Sequence, residues 1–118
     1  MTAERHALDV LRAALDEQAA ATDGVERVAD GDAVEYRMKG HAAVSVDHRV
    51  IAFRLGQRVA AAAARTVDAR PSARGPEWVE LAPAQIDRFT LDRAEAWFGL
   101  AIREAGGAAA RTDRRLDA

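Results

Sequence analysis

Residues 33–56 read AVEYRMKGHAAVSVDHRVIAFRLG, and their alternation decides the fold. Val34, Tyr36 and Met38 fall on one side of an extended chain and Glu35, Arg37 and Lys39 on the other, which is the two-residue period of a strand with one buried face. After Gly40 the period resumes, with Ala42, Val44 and Val46 facing in and Ala43, Ser45 and Asp47 facing out. Asp47-His48-Arg49 turns the chain, and Ile51, Phe53 and Leu55 share the next inward face. Upstream, Asp30-Gly31-Asp32 has hairpin-turn chemistry, so Val25 to Ala29 is a short partner strand. An antiparallel meander of three or four strands results, and it needs a cover on one side.

Three helical segments supply the cover. Leu8, Leu11 and Leu15, with Ala7, Ala14 and Ala19, recur at helical spacing over residues 2–21, and Asp23-Gly24 ends the run. RVAAAAART at 58–66 is a short alanine-rich helix, and Ala60 to Ala64 read as a surface that packs closely on the sheet rather than as an interface between chains. WVEL at 78–81 is a further strand, stopped by Pro83. From Thr90 as N-cap, Leu91, Ala94, Trp97, Phe98, Ala101, Ile102 and Ala105 form an apolar stripe that Gly106-Gly107 terminates. Adjacent helical residues point about 100° apart, so one of Trp97 and Phe98 is expected to line a groove or a dimer contact. The predicted architecture is a two-layer α+β domain over residues 1–106, followed by a solvated tail over 107–118.

Composition narrows the function classes. Seventeen basic residues against 19 acidic ones give a net charge of −2, a balance unlike that of chains built around phosphate contacts. With no cysteine there is no disulfide, thiolate nucleophile or thiolate metal site. The N-terminus carries Glu4, Arg5 and Asp9 where a secretion signal needs an apolar core, and no apolar run reaches the roughly 20 residues of a membrane span. The expected address is the cytoplasm, with no membrane partner.

The run YRMKGHAAVSVDHRVIAFRLG, a short helix, then GPEWVEL and a closing DRAEAWFGLAIREA resemble the small α+β domains of the MmcQ/YjbR and TfoX N-terminal type. The resemblance covers roughly residues 25–105 and rests on a glycine-ended strand, a hairpin turning at 47–49, a tryptophan-bearing strand and a final amphipathic helix. It implies a double-layer domain of a kind sometimes labelled DNA-binding or competence-regulating, and it brings no catalytic residue with it.

Motif-level chemistry is sparse. His41, Asp47 and His48 are the best trio for a metal, yet His41 opens a strand and His48 sits in the next turn, at least five residues or roughly 17 Å of extended chain away. The two serines, Ser45 and Ser72, lie in neither a nucleophile elbow nor an S-x-x-K motif, and the loop glycines are isolated. No cofactor is expected, and an enzyme of unknown reaction ranks third among the readings. The first reading is a non-enzymatic binding module whose partner is a protein, a second copy of the chain or a small anion. Its contact is the stretch DARPSARGPEW at 68–78, where Arg70, Ser72, Arg74 and Trp78 put guanidinium donors, a hydroxyl and an aromatic face within a few residues. Against this stands a plain connector with solvated arginines and Trp78 in the core. The alternative function is a nucleic-acid-binding regulator with Arg54, Arg58, Arg65, Arg70 and Arg74 on one basic face, a reading that fails if carboxylates neutralise them.

Overall fold

The computed structural model describes residues 2–117, with side chains described for residues 6–111. The elements run α1 (Thr2–Ala20), β1 (Val25–Asp30), β2 (Ala33–Met38), β3 (His41–Val46), β4 (Ile51–Arg54), α2 (Gln57–Ala63), β5 (Ala69–Ser72), β6 (Gly75–Leu81) and α3 (Arg88–Asp117). The strands form one sheet in the order β1-β2-β3-β4-β6-β5, and every neighbouring pair is antiparallel. This is the two-layer α+β arrangement with a helix at each end that the alternation of residues 33–56 predicts.

Local chemistry sets each turn. Met38 pairs with His41 across Lys39-Gly40, whose φ angles of 52° and 82° are both positive, as a two-residue hairpin turn matched to strand twist demands. The Asp47 carboxylate accepts from the backbone N–H of Arg49 and Val50 at 2.7 and 2.8 Å, closing the β3–β4 turn.

The strict alternation expected for residues 42–47 breaks at one point. Tyr36 pairs with Val44 but Arg37 pairs with Ala42, so Ala43 is an extra residue in β3. At this bulge Ala43 and Val44 are both fully buried, while Ala42 is only half-buried.

One core joins the helices to one face of the sheet. Val34, Tyr36, Val44, Val46, Ile51, Phe53, Val79 and Leu81 meet Leu8, Leu11 and Leu15 of α1, Ala60 and Ala63 of α2, and Ala94, Trp97, Phe98, Ala101 and Ala105 of α3. The alanine run thus packs on the core through Ala60 and Ala63, with Ala61 and Ala62 exposed. Trp97 and Phe98 both turn inward, against the expectation that one would line a groove. Phe98 meets Tyr36 of β2 edge-on at 5.4 Å, and Trp97 meets Phe53 of β4 edge-on at 5.5 Å. The sheet is wide enough to take two neighbouring rings on different strands. The buried Tyr36 hydroxyl donates to Asp16 of α1, which also accepts from Arg27 Nε at 2.9 Å. Burial first, and then the hydrogen bond to Asp16, raises the Tyr36 phenol above its ordinary pKa.

Two helix boundaries differ from expectation. The cap of α3 is Asp87 rather than Thr90: its carboxylate accepts from Thr90 N–H at 2.7 Å, and Thr90 lies inside the first turn. That bond holds the Asp87 carboxyl below its usual pKa. The second correction is at the other end, where α3 runs through Gly106-Gly107, so residues 107–117 are helix rather than tail. Ala108 and Ala109 are buried, and side chains 112–118 lie outside those described. Glycine does not end this helix because the alanines beyond it propagate the turn, and Gly106 sits beside Met38 of β2. A Cβ at position 106 would meet Met38 Cγ at 3.6 Å, an ordinary contact. Gly106→Ala should therefore stabilise the protein by up to about 1 kcal/mol in urea melts, whereas a helix ending there would be destabilised.

Candidate functional site

With all three helices packed on one core face, no other described element covers the opposite face of the sheet, and the stretch 68–78 lies towards its β5 edge. That stretch is a β-hairpin, not a loop: β5 pairs with β6 across Ala73-Arg74, with Ser72 opposite Gly75. Pro71 fits because β5 is an edge strand, where a residue without an N–H breaks no inner ladder. Since Val79 and Leu81 are buried in the core, alternation puts Trp78 and Glu80 of β6 on the open face. Trp78 is therefore not a core residue, contrary to the connector reading.

The four residues singled out from the sequence come together here, with two more. Arg70 Nε donates to Glu80 Oε1 and Ser72 Oγ to Glu80 Oε2, both at 3.0 Å. Ser72 Oγ also accepts from the Arg74 backbone N–H at 3.1 Å. The Arg74 guanidinium lies 4.9 Å from the centre of the Trp78 ring, and its Nη2 donates to Ser45 Oγ at 2.9 Å. Ser45 belongs to β3, so this side chain spans β4 at Ala52, which pairs with Ser45 on one side and Glu80 on the other. On β4, Arg54 pairs in register with Trp78, donates to Glu77 at 3.3 Å and is only 18% exposed, and its Nε is buried without a hydrogen-bond partner.

Charge on this part of the face does not cancel. Arg54 and Arg70 are each matched by a glutamate, whereas among the described residues Arg74 has no carboxylate within ion-pair distance. Its positive charge is held by a hydroxyl and an aromatic face instead. Glu80 is only 17% exposed and already fills the place between Arg70 and Ser72 that an external carboxylate would take.

The five arginines of the nucleic-acid reading do not share a face. Arg58 and Arg65 are exposed on and just after α2, in the helical layer, while Arg54, Arg70 and Arg74 belong to the open sheet side, two of them paired with glutamates. His41 is half-buried at the start of β3, His48 is exposed in the following turn and His6 is exposed on α1. Among the described residues no group of three histidine, aspartate or glutamate side chains is placed to hold a metal ion. Nor is any helix among them long and apolar enough to cross a membrane.

Ser45 and Glu80 are the site members that sequence reasoning did not assign. Nothing in residues 41–47 marks Ser45 beyond its outward position, because the contact depends on β6 pairing with β4. Comparison with protein-family models, with curated proteins and with solved structures returned no match.

Proposed function

We propose that the protein is a cytoplasmic, non-enzymatic binding module, of the MmcQ/YjbR type that its strands resemble, and that it takes an anionic group of its partner on the open sheet face at Arg74. The observation that carries this reading is a guanidinium held by Ser45 and Trp78, on a backbone whose N–H is bonded to Ser72, without a counter-ion among the described residues. A donor set already ordered in the free protein spares the ligand the cost of immobilising a long side chain, and a guanidinium edge matches the paired oxygens of a carboxylate or phosphate.

Amide shifts of labelled protein titrated with inorganic phosphate, and separately with acetate, test the reading. Ser45 and the residues from Ser72 to Trp78 should shift, and Arg74→Ala should abolish the response while leaving the melting temperature unchanged. Glu80→Gln removes a negative charge near the site without touching Arg74 and should tighten binding. Identical titrations for wild type and Arg74→Ala would overturn the reading.

A further inference from the structure

Val67 and Phe89 are the most exposed of the large apolar side chains described, at 64% and 67%, and both stand beside Arg93. Val67 follows α2, and Phe89 is in the first turn of α3. Arg93 Nη1 donates to the Val67 carbonyl at 2.8 Å and to Thr66 Oγ1 at 3.2 Å. Its guanidinium lies 5.6 Å from the ring centre of Phe89, one turn earlier, and 5.4 Å from that of Trp97, one turn later. The remaining edge, Nε and Nη2, is buried and has no hydrogen-bond partner. Among the described residues no carboxylate is within ion-pair distance of it. Asp87, which senses the charge of Arg93, is committed to capping α3.

A charged donor edge left without acceptors is costly, and the Nε/Nη2 edge is the fork that a carboxylate grips with both oxygens. We propose that this corner docks a glutamate of a partner protein's peptide segment, its carboxylate on Nε and Nη2 of Arg93 and its apolar neighbours on Val67 and Phe89. Complementary charge selects the acid, and the two exposed side chains select apolar flanks. A glutamate's two methylenes carry the carboxylate between the rings. The ring of Phe89 is exposed enough to turn aside by one rotamer change and admit it. The corner belongs to the helical layer and is independent of the site at Arg74.

The test uses labelled full-length protein and a capped Leu-Glu-Leu peptide, with capped Leu-Gln-Leu and an uncapped Leu-Leu dipeptide beside it. The glutamate peptide should shift the amides of Val67, Phe89 and Arg93, and the glutamine peptide should bind about tenfold more weakly, the loss expected for one charge-assisted hydrogen bond. Phe89→Ala should weaken the glutamate peptide, as should Arg93→Lys, which keeps the charge but loses the fork. If circular dichroism shows that Arg93→Lys does not fold, Phe89→Ala and the two capped peptides decide. Equal binding of the capped peptides, shifts confined to other residues, no shift at all, or tighter binding of the uncapped dipeptide would overturn the proposal.

Discussion

Phe53→Ala is expected to lower stability by about 3–5 kcal/mol, read as a fall in the urea midpoint with little change in slope. Phe53 is fully buried, lies on a central strand between Val44 and Val79, and meets Trp97 edge-on. Truncation removes both the transfer free energy of the ring and its contacts, and the cavity left is walled by a sheet that cannot collapse into it. The neighbouring Arg54→Ala should cost much less, since Arg54 lies on the open face and its partner Glu77 is well exposed. An unchanged midpoint for Phe53→Ala would mean that the inward face of β4 is assigned to the wrong side.

Phe98→Ala should cost a similar amount, about 3–5 kcal/mol. Its ring is fully buried against Tyr36, whose hydroxyl is tied to Asp16 of α1, so the loss falls where three elements meet. A loss below about 1 kcal/mol, the size typical of a surface change, would show that Phe98 faces a groove and that only Trp97 fills the core.

The sequence makes the inward faces of β2 and β4 legible because their side chains keep a clean two-residue period, and α1 legible because its leucines keep a helical one. Ala43 defeats that logic, since a bulge inserts one residue without any change of residue type. Thr90 looks like a cap because it is a good one in isolation, yet Asp87 precedes it by one turn and takes its N–H. Gly106-Gly107 reads as a stop only while the burial of Ala108 and Ala109 is unknown. At the candidate site, Arg70, Ser72, Arg74 and Trp78 are close in sequence and so could be grouped without a structure. Ser45 enters only through the β4–β6 ladder, a pairing that skips over α2 and β5 and leaves no local trace.

That skipped pairing also bears on how the chain reaches its native state. The ladders of β1 to β4 and of β5 with β6 each close short turns, so both pieces can form from local contacts alone. The register from Ile51 opposite Leu81 to Arg54 opposite Trp78 is different: it must bring together segments separated by a helix and a strand, and its loop entropy is spent before any contact rewards it. The seam between β4 and β6 is therefore where refolding should be slowest. Because Arg74 reaches Ser45 only across that seam, the Arg74–Ser45 contact should form no earlier than the β4–β6 pairing.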